Sequence, residues 1–344
     1  MWIFLPQMKF KKRLLFLSFV VIFGVLYLYF NSNWNAPVSS PPYVDGWNQN
    51  TSKDVRNYVS ESSPPHIIPK DFCQKSGILL VMVNIKPDDF EVRHVIRETW
   101  ARKRANVSFY FLVGEERNHN YEVQVRLKFE SEKYNDIIQE RFLDSYNNLT
   151  LKSINMLKLF SRHCSKSYKY LMKIDGDVFL NVHNVLEMLS KRNSETDFLV
   201  GKLINDTKPF RDPRSKWYVP RELFPEEKYP DYLCGPTYLM SSDVAENLYR
   251  CTFETPIFYI EDVYITGICA KKINVVPRHD SMFKCQYTNK YICLHREKYS
   301  IHYYKPEEIR KAYRILVGNG CPASGSIMEW VCSLLFSVSS AWST

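Results

Sequence analysis

Three near-continuous apolar runs most constrain how this chain can fold. They are Ile78–Ile85, Val107–Val113 and Tyr168–Ile174, and helical patterns near 88–100, 120–132 and 149–164 lie between them. Runs of this kind are typical of strands that are covered on both faces. Strands that alternate with helices indicate an α/β fold with a mixed, partly parallel sheet.

Two carboxylates follow the third run directly. Asp175 and Asp177 flank Gly176, and apolar residues stand on either side of the triplet. Asp and Gly are common in plain β-turns, which is the simplest reading of the triplet alone. Ligands of open α/β sheets, however, bind beyond the carboxyl ends of strands, and hard carboxylate oxygens suit Mg²⁺ or Mn²⁺. Position therefore favours a metal site at Asp175 and Asp177.

A second acidic pair, Glu261 and Asp262, follows the apolar run Pro256–Ile260, which is interpreted as a strand. A carboxylate at a strand end that faces a cleft is a candidate general base. A helix N-terminus is the alternative, because acidic side chains are favoured by the helix dipole there. Both interpretations hold together if one acid caps and the other catalyses.

Arg93 and Arg97 lie four residues apart, on one face of the predicted helix. Two guanidiniums in this arrangement can hold a diphosphate or the edge of uracil. Ion pairs with Glu91 or Glu98 explain the spacing equally well.

Gly235 and His302 are weaker candidates. Gly235 lies in a Pro- and Tyr-rich loop, where a tyrosine can stack on a sugar ring, although ordinary loop packing is the commoner explanation. His302 can complete a metal site, but a buried, hydrogen-bonded histidine is the more usual case.

The N-terminal region predicts a membrane anchor. Lys9, Lys11, Lys12 and Arg13 precede an uncharged apolar run at 14–30, which spans roughly 25 Å as a helix. The run is longer than the apolar part of a cleaved signal peptide, and basic residues on its N-terminal side predict a cytoplasmic tail at 1–13. The Asn-, Ser- and Pro-rich stretch 31–70 is interpreted as a stem, and 71–325 as a lumenal domain.

The remaining composition agrees with a lumenal domain. The nine cysteines contain no CxxC pair, which disfavours zinc and favours disulfides of open connectivity. Sequons begin at Asn50, Asn106, Asn148 and Asn205. The net charge of +9 favours acidic partners, but no nucleic-acid-binding motif is present. The apolar tail 326–344 is too short, with Glu329 inside it, for a second span.

Taken in order, five blocks resemble the β-1,3-glycosyltransferase family, which includes β-1,3-galactosyltransferases and β-1,3-N-acetylglucosaminyltransferases. They are RHVIRETW (93–100), FLDSYNNLTLKS (142–153), YLMKIDGDVFLN (170–181), YPDYLCGPTYLMS (229–241) and EDVYITG (261–267). Five linked blocks are far more specific than any one of them. Two positions depart from the family pattern: Gly176 replaces the middle acid of a common Asp-Asp-Asp, and Thr237 replaces a second glycine.

The resemblance implies a GT-A-like nucleotide-sugar-binding domain behind one N-terminal transmembrane helix. It implies Asp262 as the catalytic base and a metal, Mn²⁺ or Mg²⁺, at Asp177. The metal ligands are Asp175, Asp177 and His302, and the donor contacts are Arg93, Arg97, Asp175, Gly235 and Glu261.

The predicted reaction is an inverting transfer from a UDP-sugar to the 3-hydroxyl of a glycan on a glycoprotein or glycolipid. Galactose is the first choice of donor sugar and N-acetylglucosamine the second. An inactive, glycan-binding or chaperone-like relative is the alternative. The predicted setting is a single-pass type II protein of the Golgi membrane, with its domain in the lumen, and a homo-oligomer is compatible with it.

Overall fold

The computed structural model describes residues 20–24, 47–48, 50–117, 120–192, 194–286, 292–318 and 320–321. Within these residues the three apolar runs form the strands β1, β2 and β4 of a seven-stranded sheet. The strands are β1 Gly77–Asn84, β2 Val107–Glu115, β3 Ile137–Leu143, β4 Tyr168–Asp175, β5 Val178–Leu180, β6 Leu199–Ile204, β7 Tyr232–Ser241, β8 Arg278–His279, β9 Phe283–Lys284 and β10 Ser300–His302. The helices are α1 Phe90–Glu98, α2 Tyr121–Tyr134, α3 Leu149–Leu159, α4 Val182–Ser190, α5 Ser242–Thr252, α6 Ala270–Lys272 and α7 Pro306–Val317.

The sheet is mixed, as predicted, and its strand order is β3-β2-β1-β4-β7-β6-β8. The pairs β1–β2, β2–β3 and β1–β4 are parallel, whereas β7 is antiparallel to both β4 and β6. The chain builds β2 and β3 on one side of β1 and then crosses to β4 on the other side. The carboxyl ends of β1 and β4 therefore flank a topological switch point, which is where open α/β sheets bind ligands.

A small second sheet of order β5-β10-β9 lies beside this edge. Its pairing places His302 opposite Val178, the residue that follows Asp177. The two sheets thus bring a late histidine to the acidic turn after β4, although 125 residues separate His302 from Asp177.

Helix α3 differs from the amphipathic helix predicted over 149–164. Its residues from Thr150 to Leu159 are all buried, and a π-helical turn, Phe160–Cys164, continues it. Burial of its two lysines is possible because Lys152 pairs with Asp144 and Lys158 pairs with Glu140, both at 2.7 Å. A polar face in the sequence was therefore not a solvent-exposed face in the structure.

The predicted anchor 14–30 falls mostly outside the described residues, of which 20–24 are helical. No helix in the described ranges is long and apolar enough to cross a membrane, so the anchor stays a prediction. Val55 and Val59, inside the predicted stem, are buried in the core beside β1. That part of the stem therefore packs on the sheet domain. The apolar tail 326–344 lies outside the described residues.

Three disulfides join the described cysteines, whose pairing the sequence left open. They link Cys73 to Cys164, Cys234 to Cys285, and Cys293 to Cys321. Cys251 and Cys269 are buried thiols. The bond between Cys234 and Cys285 ties β7 to the segment after β9, beside His302, whose Nδ1 lies 3.0 Å from the Cys285 carbonyl.

Candidate active site

Asp175 and Asp177 lie at the end of β4, beside the end of β1. The N–H of Gly176 donates to the Asn84 carbonyl at 3.1 Å, which turns the chain out of the sheet. The side chain of Asp175 is 28% exposed and that of Asp177 is 52% exposed. A Cβ on Gly176 would lie 3.0 Å from Cδ1 of Ile85, so close packing favours glycine at this departure from the family pattern.

A buried lysine connects the two acidic pairs. Lys173 Nζ lies 2.7 Å from Oδ1 of Asp175 and 3.8 Å from Oε2 of Glu261, and it donates to the Gly235 carbonyl at 2.5 Å. Burial alone would lower the pKa of Lys173, but the carboxylates of Asp175 and Glu261 raise it. Lys173 is therefore a fixed positive charge in the floor of the site.

Glu261 is held entirely from inside the protein. Its Oε1 accepts hydrogen bonds from the Tyr238 hydroxyl at 2.6 Å and from the Ser153 hydroxyl at 2.5 Å. Burial, and then the Glu261 charge, raise the pKa of Tyr238 well above its ordinary value, so Tyr238 stays a neutral donor. These contacts make Glu261 a structural acid below the site surface, and its predicted contact with the donor stays a prediction.

Asp262 is partly exposed and is held by main-chain donors. Its Oδ2 accepts from the N–H of Gly235 at 3.1 Å, and its Oδ1 accepts from the N–H of Val263 at 2.9 Å. Burial, and then the neighbouring Glu261 charge, raise the pKa of Asp262 to about 7. A carboxylate with a pKa near the working pH is suited to general base catalysis.

The segment before this pair is not the predicted strand. Residues 256–260 have no ladder partner, because the Ile257 N–H donates to the Lys53 carbonyl and the Phe258 carbonyl accepts from Thr150. Glu261 and Asp262 instead begin a helix that continues as the π-helix Val263–Cys269. The apolar side chains are buried as expected, but in a loop, and the helix-terminus interpretation is the one observed.

His302 reaches the acidic turn from β10. Its Nε2 lies 3.1 Å from Oδ2 of Asp177, and the Tyr304 N–H donates to the Asp177 carbonyl at 2.8 Å. His302 is thus both buried and hydrogen-bonded, yet it is aimed at a predicted metal ligand. Among the described residues, no group of three or more His, Cys, Asp or Glu side chains is arranged to hold an ion by itself.

The side chains at the acidic turn fit a divalent metal for which the protein supplies only part of the coordination and a substrate supplies the rest. Mg²⁺ and Mn²⁺ sites of transferases use one or two carboxylates, and the substrate phosphates and waters supply the rest. Asp177 is the most exposed acid at the turn, while Asp175 is already paired with Lys173. Asp177 and His302 therefore form one candidate pair of metal ligands, whereas Asp175 is the candidate whose carboxylate already pairs with Lys173.

Arg93 and Arg97 are engaged elsewhere. Arg93 is fully buried and forms a bidentate pair with Glu130, whereas Arg97 bridges Glu130 and Asp136. Both arginines do lie on one helical face, but their acidic partners come from α2 and the turn before β3 rather than from Glu91 or Glu98. No described contact joins either guanidinium to the acidic cluster, so the structure does not bring these two residues to the site.

Lys173, Tyr238 and Ser153 are site residues that the sequence analysis did not single out. A signal for Lys173 was present, because a charge inside an otherwise apolar strand requires a buried partner. No comparable signal marked Ser153 or Tyr238, since their partner Glu261 lies 108 and 23 residues away in sequence.

Comparison with known proteins identifies the class. The model of the galactosyltransferase family matches residues 91–281. β-1,3-Galactosyltransferase 1 of Mus musculus and that of Homo sapiens are each 35% identical over 248 residues, which cover 70% of this chain and 74% of the relative. Lactosylceramide 1,3-N-acetyl-β-D-glucosaminyltransferase of Homo sapiens is 35% identical over 227 residues, 62% of this chain and 59% of that relative. The solved apo structure of the WbbM bifunctional glycosyltransferase overlaps 71% of this chain and 51% of its own, with a TM-score of only 0.40 and 12% identity.

The family match and the relatives define the class of the protein as a glycosyltransferase, an enzyme that transfers a sugar. The chain belongs to the galactosyltransferase family, on a family match that spans most of the sheet domain. It is accordingly a hexosyltransferase, and the resemblance seen in its five sequence blocks is confirmed.

Proposed function

We propose that this hexosyltransferase moves a hexose, galactose in the first instance and N-acetylglucosamine in the second, from a UDP-sugar to the 3-hydroxyl of an acceptor glycan on protein or lipid. The observation that carries the proposal is the state of Asp262. It is partly exposed, it is positioned by the Gly235 and Val263 N–H groups, and its pKa is about 7. The two relatives, a β-1,3-galactosyltransferase and a 1,3-N-acetyl-β-D-glucosaminyltransferase, support the linkage and the two donor sugars.

The chemistry is a single displacement. The acceptor oxygen attacks the anomeric carbon, the bond from that carbon to UDP breaks on the opposite face, and Asp262 takes the proton of the hydroxyl. One base suffices, because no carboxylate nucleophile is needed for inversion. The product leaves with one new glycosidic bond, and the proton passes from Asp262 to solvent.

A divalent metal, Mn²⁺ or Mg²⁺, would be held by Asp177 and His302, with Asp175, which pairs with Lys173, as the third candidate ligand. When bound, it supplies positive charge that stabilises the diphosphate leaving group. Lys173 contributes a protein charge close by, which keeps Asp175 oriented and offsets part of the negative potential of the four carboxylates. The Gly235 main chain orients the base.

The proposed setting is the Golgi lumen, with 14–30 as a type II anchor. Three disulfides in the described residues support an oxidising compartment. Exposed sequon asparagines at 106 and 205 support it too.

A donor and acceptor screen tests the function. Full-length protein in detergent is incubated with UDP-galactose, UDP-N-acetylglucosamine or UDP-N-acetylgalactosamine and methyl glycosides of each sugar, first with Mn²⁺ and then with EDTA. The expected result is acceptor-dependent UDP release that EDTA abolishes, with a β-1,3 linkage in the product. Release that survives EDTA would reject the metal assignment, and no transfer from any UDP-sugar would reject the proposed function.

A further inference from the structure

His302 is held at both of its ring nitrogens. Nδ1 lies 3.0 Å from the Cys285 carbonyl, and Nε2 lies 3.1 Å from Oδ2 of Asp177. A carbonyl oxygen only accepts hydrogen bonds, so Nδ1 carries a hydrogen there and Nε2 is the nitrogen directed at Asp177. Metal-ligating histidines are commonly oriented in this way, through the nitrogen that does not bind the ion. Such bonds act in the plane of the ring, and a contact on its face is needed to restrain its tilt.

Tyr303 supplies a contact on that face. Its ring stacks on the imidazole of His302, with centroids 3.7 Å apart and an interplanar angle of 28°. Successive side chains of a strand point to opposite faces, so these two rings could not stack if β10 simply continued. The strand ends at His302, and the φ of +69° at Tyr303 turns the tyrosine ring back over the imidazole. The left-handed backbone and the stack are therefore one feature.

The residues on either side of Tyr303 enforce this backbone conformation, which is unfavourable for a bulky side chain. His302 is fixed by the pairing of β10 with Val178. Tyr304 is buried, and its N–H donates to the Asp177 carbonyl at 2.8 Å. Tyr303 itself is 55% exposed, so burial in the core does not explain the strain. Strain of this kind is concentrated at active sites and ligand clamps, where it preorganises the site.

We propose that Tyr303 is a positioning residue, whose ring keeps Nε2 of His302 directed at Asp177 and ready to ligate a divalent metal. This inference rests on the proposed function, because it takes Asp177 and His302 as metal ligands. Tyr303 acts through His302 and needs no contact of its own with the nucleotide. A side chain without a ring at this position would let the imidazole adopt other tilts, and the metal would bind less tightly.

The test measures UDP binding by calorimetry in the full-length protein, once with Mn²⁺ and once with EDTA. Tyr303→Ala removes the ring, whereas Tyr303→Phe keeps the ring and removes the hydroxyl. Tyr121→Ala is the matched control, because Tyr121 is 80% exposed at the start of α2. Tyr303→Ala is also combined with His302→Ala, so that an effect exerted through His302 can be told from a direct contact.

Tyr303→Ala is expected to weaken UDP binding in Mn²⁺ at least about tenfold, the usual effect of losing a group that orients a metal ligand. Its UDP binding in EDTA should match that of the wild type. Tyr303→Phe and the Tyr121→Ala control should bind UDP as the wild type does under both conditions. Once His302 is replaced by alanine, Tyr303→Ala should cause no further loss, because the side chain that it positions is gone.

Tyr303→Gly separates the binding role from stability. Glycine adopts a positive φ without strain, whereas alanine does not, so the glycine variant should unfold at a higher denaturant concentration than Tyr303→Ala. It should nevertheless bind UDP in Mn²⁺ as weakly as Tyr303→Ala. Damage to the fold would lower stability and binding together. Binding by Tyr303→Gly equal to that of the wild type would contradict the role of the ring.

Other outcomes would also overturn the inference. Unchanged UDP binding by Tyr303→Ala in Mn²⁺ would remove the positioning role, and a further loss beyond that of His302→Ala would assign the ring a direct contact with the nucleotide. A loss in Tyr303→Phe equal to that in Tyr303→Ala would assign the effect to the hydroxyl. The metal assignment is read from the wild type alone: equal UDP binding in Mn²⁺ and in EDTA would reject it, and the positioning role with it.

Discussion

Gly235 donates its N–H to Oδ2 of Asp262 at 3.1 Å, while its carbonyl accepts from the buried ammonium of Lys173 at 2.5 Å. A Cβ on residue 235 would lie 3.1 Å from the same carboxylate oxygen, so a larger side chain would displace the carboxylate of Asp262. The main chain of one residue thereby fixes Asp262 relative to the ammonium that also pairs with Asp175. The acidic turn at Asp175 and the acidic pair Glu261–Asp262 therefore share a common support.

The first prediction concerns that support. Lys173→Met should lower the free energy of unfolding by about 3–5 kcal/mol, because it leaves the buried Glu261 and the partly buried Asp175 without their shared cation. Lys169→Met is the matched control on the same strand, where Lys169 is 51% exposed against 2% for Lys173. The control should leave the unfolding midpoint nearly unchanged. Denaturant unfolding followed by fluorescence measures both, and equal effects would refute the buried network.

The pH dependence of transfer should report Asp262. The base works when ionised, and its pKa is about 7. Below that pH the carboxyl is protonated, so kcat/KM should fall about tenfold for each pH unit, and above it the rate should reach a plateau. The measurement is kcat/KM for the acceptor between pH 5 and 9 at saturating donor. A flat profile across pH 6–8 would contradict this role.

Asp177 should control binding of the nucleotide through the metal. Asp177→Asn is expected to weaken UDP binding in Mn²⁺ at least about tenfold, because it removes the most exposed charge at the turn, and to change it little in EDTA. Asp54→Asn is the control, since Asp54 is 48% exposed and Asn preserves its capping role. Calorimetry with UDP measures all three proteins. Equal weakening with and without Mn²⁺ would argue against a metal ligand.

Glycan occupancy should follow exposure rather than the sequon rule. Asn148 is buried, and its Nδ2 donates to the Leu143 carbonyl at 3.0 Å, so it is not accessible to glycosylation in the folded chain. Asn106 and Asn205 are exposed. Mass spectrometry of full-length protein purified from mammalian cells should find glycans at positions 106 and 205 and none at 148. A glycan on Asn148 would contradict the packing of the segment before α3.

The sequence predicted the parallel half of the sheet well, because strands buried on both faces leave an unbroken apolar run, as in β1, β2 and β4. The acidic turn after β4 followed from the rule that ligands bind at strand ends. Ion pairs between residues far apart in sequence could not be predicted, and Arg93 and Arg97 pair with acids 37 and 39 residues away. The strand predicted at 256–260 was wrong for a related reason. A buried segment is apolar whether or not it pairs with a neighbouring strand.

The substitution Asp262→Asn tests the central claim most directly. Full-length wild type and variant are compared for UDP affinity in Mn²⁺ by calorimetry and for transfer of the donor sugar to the acceptor. The account predicts nearly unchanged UDP binding and a loss of transfer of at least about 10²-fold, the usual effect of removing a positioned base. Turnover close to that of the wild type would remove Asp262 from the mechanism.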